Sequence, residues 1–153
     1  MIQRIQTLYL ALVIIVSGIM FTGAIMKFSG TTGTYEFSLS GISAINGSGI
    51  TMVEKTLPLM IFFIIIPLFA LITIFLFQKR KVQLLFTFLI LVFSLGAILL
   101  GSYYAYTFMK QYGSEILFNF KTILPLLLFA FIYLAYRGIQ KDENLVRSYD
   151  RLR

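Results

Sequence analysis

Four apolar stretches dominate this chain and constrain its fold more than any other feature. They run from about Leu8 to Met26, Leu57 to Phe77, Val82 to Phe108 and Ile116 to Tyr136. The first three contain no Asp, Glu, Lys or Arg. About 20 helical residues cross a hydrocarbon core about 30 Å thick, so each stretch reads as a spanning helix. In the fourth, Asn119 and Lys121 put the first turn among the lipid headgroups. Composition agrees, with 59% hydrophobic and only 12% charged residues, where soluble domains average about 25% charged. Arg4 and the small residues Thr22-Gly23-Ala24 give the first stretch some features of a cleavable leader. At nineteen residues the run exceeds a typical leader core, and it is read as a retained span.

Lys and Arg in the short connections set the orientation. Nine fall on one side: Arg4, Lys79, Arg80, Lys81, Arg137, Lys141, Arg147, Arg151 and Arg153. Four fall on the other: Lys27, Lys55, Lys110 and Lys121. The richer side is the cytoplasmic one, which puts both termini and the QKRK turn there. The tyrosines fit interfacial belts, with Tyr9, Tyr133 and Tyr136 inside and Tyr103, Tyr104, Tyr106 and Tyr112 outside. The net charge of +7 is therefore topological, and no nucleic-acid partner is expected.

The only substantial outer segment is the loop 28–56. Tyr35 to Ser40 alternates apolar with polar, the period of a half-buried strand. Asn46-Gly47 is a turn signal, and Ile50 to Val53 reads as a return strand. A small two-stranded ribbon over the helix ends is one reading, and a flexible Gly/Ser/Thr loop is the other. The fold class is thus an all-α membrane protein: a four-transmembrane-helix bundle (1–137), a small outer loop and a cytoplasmic tail (138–153).

Inside the spans, Pro58 and Pro125 lie near helix starts, where a missing N–H is harmless. Pro67 lies mid-helix and removes one backbone bond. Ser94, Ala97, Gly101 and Ala105 form a ridge of small residues that permits close helix packing. Gly18 and Thr22 offer a shorter version on the first helix. No ionisable residue lies at membrane depth, which argues against a proton- or ion-coupled pump.

The chain has no Cys, His or Trp. These absences remove disulfides, thiolate nucleophiles, the commonest general base and the commonest metal ligands. Glu36, Glu54 and Glu115 stand singly, and an enzyme working through them needs two to converge in one outer pocket. The expectation is a protein without catalytic, cofactor or metal site.

After Gly138, which can end or swivel the fourth helix, the composition turns polar. Residues 140–153 keep helical periodicity, with Leu145, Val146, Tyr149 and Leu152 on one face. Glu143 with Arg147, Arg147 with Asp150 and Asp150 with Arg153 form a charge ladder at helical spacing. Each exposed pair contributes only about 0.2–0.5 kcal/mol, and so short a helix is marginal alone. A stable tail therefore needs a surface under its apolar face, such as the bilayer, its own cytoplasmic turn, or a second protein or copy. A plain solvated tail is the other reading. The candidate partner-binding residues are Asp142, Glu143, Leu145, Val146, Arg147, Tyr149, Asp150, Arg151, Leu152 and Arg153.

The two ends also carry a resemblance. Ile2, Gln3, Arg4 and Gln6 at the start match the ends of a bacterial family known as domain of unknown function 4293. At the close, Asp142, Glu143, Leu145, Val146, Arg147, Ser148 and Asp150 to Arg153 match as well. That family comprises small four-helix inner-membrane proteins of Bacteroidota, so the resemblance implies architecture and supplies no activity. A weaker, topological likeness is to claudin-type proteins, although the Trp and paired Cys of their first outer loop are missing.

The leading expectation is a non-enzymatic inner-membrane accessory, assembly or scaffold subunit that binds a partner through its cytoplasmic tail. The alternative is a small-molecule or lipid-handling carrier or exporter component. A cavity reaching into the membrane distinguishes the second from a tightly packed scaffold.

Overall fold

The computed structural model describes residues 2–30, 33–46, 49–77 and 79–150, with side chains over 5–30, 33–45, 51–77 and 79–146. The chain is mostly helical. Helices α1 (Ile2–Met20), α2 (Leu57–Phe75), α3 (Arg80–Tyr112) and α4 (Leu124–Asp150) form the body. A small antiparallel sheet lies over one end. Helix α1 packs on α2 and α4, α2 on α3, and α3 on α4. Helices α2, α3 and α4 are long and apolar enough to cross a membrane, while α1 contributes a shorter apolar run, Ile5–Met20.

The boundaries of two expected spans change. Helix α1 stops at Met20 rather than Met26, and Gly23 at φ +77° starts the chain outward. Met26 already belongs to strand β1 (Met26–Gly30). At the other end, Ile116 lies in strand β5 (Glu115–Leu117), followed by a 3₁₀ turn, Phe120–Ile123. Helix α4 starts only at Leu124. Hydropathy could not mark either change, because Ile25, Met26, Ile116 and Leu117 are as apolar as span residues.

The region over one end of the helices is a five-stranded sheet, not a two-stranded ribbon. Strands β2 (Gly33–Ser38), β3 (Gly41–Asn46) and β4 (Gly49–Lys55) join β1 and β5 in the order β4-β3-β2-β1-β5. The two strands expected from the sequence, β2 and β4, do not pair with each other, because β3 lies between them. Asn46 pairs with Gly49 at the end of the β3–β4 hairpin, and Gly47 of the turn signal lies outside the described residues. Strand β5 comes from the α3–α4 connection and pairs with β1, Phe28 opposite Ile116.

Aromatic packing seats the sheet. Helix α3 has 33 residues, about 50 Å at 1.5 Å per residue, and so outruns a hydrocarbon core. Its last turns meet the underside of the sheet. Phe108 lies 5.3 Å from Phe28 and 5.1 Å from Tyr35, and 4.6 Å from Tyr112. Phe28, Phe37, Ile42 and Phe108 are fully or almost fully buried. Hydroxyls pin the edges: Thr56 Oγ1 donates to the Leu39 carbonyl at 3.1 Å, and Thr122 Oγ1 to the Ile25 carbonyl at 3.1 Å. Lys121 Nζ donates to the Thr22 carbonyl and so ties the end of α1 to the start of α4.

Candidate functional site

Two places in the helical body depart from ordinary apolar packing, one at each end. The first lies at the end remote from the sheet. Gln6 Nε2 donates to Asp142 Oδ2 at 2.6 Å, and both residues are buried. Gly138, one turn before Asp142, lets α1 approach α4; a Cβ there would stand 3.0 Å from Gln6 Cγ. Helix α4 runs through Gly138 without a break.

Gln83, also buried, donates from Nε2 to the Thr73 carbonyl at 3.3 Å. Helix α2 ends at Phe75, so this carbonyl belongs to the last turn, whose acceptors lack helical donors. A small cleft of about 20 Å³ brings Arg80 and Thr7 beside Gln6, Gln83 and Asp142. That is room for about one water. The sequence reading did not single out Gln6 or Gln83 as buried polar residues. The available signal was a pair of amides bordering apolar runs.

The second place lies under the sheet. A cavity of about 210 Å³ is enclosed by Met20, Leu59, Phe63 and Ala97, with Ile25 and Phe37 of the sheet end as its roof. The enclosing residues are all buried. Ile98 and Ser102 of α3 and Leu126 of α4 also line it, and the exposure of Ser102 and Leu126 opens it between those helices. The lining is almost wholly apolar. Left empty and closed, a cavity of this volume would cost about 5 kcal/mol at about 24 cal/mol per Å³.

The sequence-derived candidates fall as follows. Of the small-residue ridge, Ser94, Ala97 and Ala105 are buried, and Ser94 Oγ donates to the Leu91 carbonyl at 2.8 Å. Gly101 lines the cavity, and a Cβ there would find Leu59 Cδ1 at an ordinary 3.8 Å. Of the two glycines on α3, Gly96 is the more tightly packed, and a Cβ there would stand 3.0 Å from Phe62. Gly18 and Thr22 are exposed, and nothing stands within 4 Å of a Cβ on Gly18. Thr73, Thr87 and Ser17 each bond a carbonyl four residues back.

In the tail, Asp142 is taken up by Gln6, and Glu143 is half-buried. Leu145 and Val146 are 43% and 40% exposed. The backbone of Arg147, Tyr149 and Asp150 continues α4, but their side chains lie outside the described residues, as do Arg151, Leu152 and Arg153 altogether. The three carboxylates Glu36, Glu54 and Glu115 spread across the sheet. Glu36 on β2 pairs with Lys27 Nζ at 2.8 Å, while Glu115 on β5 and Glu54 on β4 are each two strands away. At about 4.8 Å per strand, each of these two lies about 10 Å across the sheet from Glu36.

These features define a class: a small, mainly helical protein with membrane-compatible helices and an antiparallel sheet over one end of its helical body. Residues 2–152 match the family described as Domain of unknown function (DUF4293), and the chain belongs to that family. No curated protein and no solved structure matches it.

Proposed function

We propose that the chain is a four-span protein of the bacterial inner membrane, with both termini and the α2–α3 turn in the cytoplasm. In this reading it is a non-enzymatic accessory, assembly or scaffold subunit whose partner docks on the cytoplasmic end of α4. Helix α1 supplies the fourth span. Its apolar run Ile5–Met20 is about 24 Å long, and Lys121 fastens its outer end.

The observation that carries the docking reading is the state of α4. It continues to Asp150, Asp142 is anchored on Gln6, and just beyond that anchor Leu145 and Val146 stand exposed. An apolar face on a fixed base needs no folding upon binding, which lowers the entropic cost of association. Crosslinking and affinity purification from native membranes test this, comparing the intact chain with Leu145→Glu/Val146→Glu and with a chain ending after Asn144. Both variants keep the Gln6–Asp142 contact and are expected to lose a protein that the intact chain recovers. Equal recovery from all three sinks the docking reading.

The cavity under the sheet favours a second reading, a lipid- or small-molecule-handling component. Its apolar lining suits a hydrocarbon ligand better than a polar solute.

A further inference from the structure

We infer that the cavity between α3 and α4 is a binding site for one acyl chain of an outer-leaflet phospholipid. The inference deepens the lipid-handling reading and rests on the chain spanning a membrane.

Three observations select this occupant. The first is the direction of the opening: of the lining residues, Ile25 and Phe37 on the sheet side are buried, whereas Ser102 and Leu126 on two apolar helices are exposed. A ligand therefore enters sideways, from the depth of the bilayer, and not from water. The second is the lining. Leu59, Phe63 and Ala97 offer no hydrogen bond to a polar solute, and an apolar cavity of about 150 Å³ stays dry yet accepts a benzene-sized ligand. This cavity, at about 210 Å³, is larger.

The third is its origin in the sequence. Ala97 and Gly101 remove bulk from α3, and α4 begins only at Leu124 with Pro125 on the cavity wall. The gap is thus built from several residues on two helices. Acyl chains surround that mouth at very high local concentration, so even weak affinity fills the site.

The test uses the full chain in phospholipid nanodiscs containing a phosphatidylethanolamine with a mid-chain diazirine, photolysed and mapped by mass spectrometry. Adducts are expected on Leu59, Phe63 or Ala97 as well as on bilayer-facing Leu85 and Leu99. Gly101→Leu fills the cavity, since a Cβ there meets only Leu59 Cδ1 at an ordinary 3.8 Å, and should lower the interior adducts at least fivefold while leaving Leu85 labelled. Ser102→Phe, at the exposed mouth, should do the same without touching the interior packing. Wild-type labelling confined to Leu85 and Leu99 overturns the proposal. So does interior labelling that is undiminished in either folded variant. Absence of adducts at Leu85 and Leu99 overturns the membrane reading instead, and the acyl-chain site with it.

Discussion

Gln6 and Asp142, 136 residues apart, are joined by a 2.6 Å hydrogen bond in the interior of the protein. The contact closes the first helix onto the last. It also divides the charged tail, since Asp142 is a packing residue while Leu145 and Val146 remain exposed.

Replacing Gln6 by Ala leaves the Asp142 carboxyl without its donor in a buried place. An unsatisfied buried polar group costs about 1–3 kcal/mol. Gln6→Ala is expected to lower thermal stability in detergent by that amount, and Gln6→Ala/Asp142→Ala by less than the sum of the single losses. A double-mutant cycle from unfolding curves measures the coupling.

Gly138 and Gly18 should respond in opposite directions. A Cβ at Gly138 presses on Gln6 at 3.0 Å, whereas one at Gly18 meets nothing within 4 Å. Gly138→Val is expected to destabilise by about 1–3 kcal/mol through overpacking. Gly18→Ala is expected to stabilise by up to about 1 kcal/mol from helix propensity alone. Unfolding midpoints of the two variants give the comparison.

Phe108 carries the sheet. It touches Phe28, Tyr35 and Tyr112 and is fully buried. Phe108→Ala should cost about 3–5 kcal/mol, concentrated in the outer region. Hydrogen exchange is expected to rise across β1, β2 and β5 while the middle of α2 stays protected. Uniform loss of protection would mean that the sheet and the helices unfold as one unit.

Because the chain lacks cysteine, single cysteines report its sidedness directly. Ser40, at the exposed β2–β3 turn, and Asn144, exposed near the end of α4, lie at opposite ends of the helical body. In intact spheroplasts an impermeant maleimide should label Ser40→Cys at once and Asn144→Cys only after lysis. Labelling of both before lysis contradicts the four-span orientation.

Some of this was legible in the residues themselves. The cores of α2 and α3 follow from uninterrupted apolar runs, because the transfer of each residue into hydrocarbon is a local and nearly additive quantity. The hydroxyl bonds of Thr73, Thr87 and Ser94 to their own helices follow from local geometry. The alternation at Tyr35 to Ser40 marks β2 in part, since the strand runs Gly33–Ser38 and Leu39 and Ser40 form the turn after it.

Other features depend on partners far along the chain. Met26 and Ile116 leave their apolar runs for strands because β1 and β5 satisfy each other's backbone groups across the sheet, a choice that hydropathy cannot express. Asp142 is a candidate partner-binding residue by sequence, whereas in the fold Gln6, brought in by Gly138, gives it a buried donor. Gly101 read as a close-packing residue, yet it borders open space, because a cavity is a shortfall in the summed volume of several elements. The sequence alone determined which segments avoid water. Only the tertiary structure decided how those segments fit against one another, since packing and pairing are properties of pairs of surfaces and not of either one.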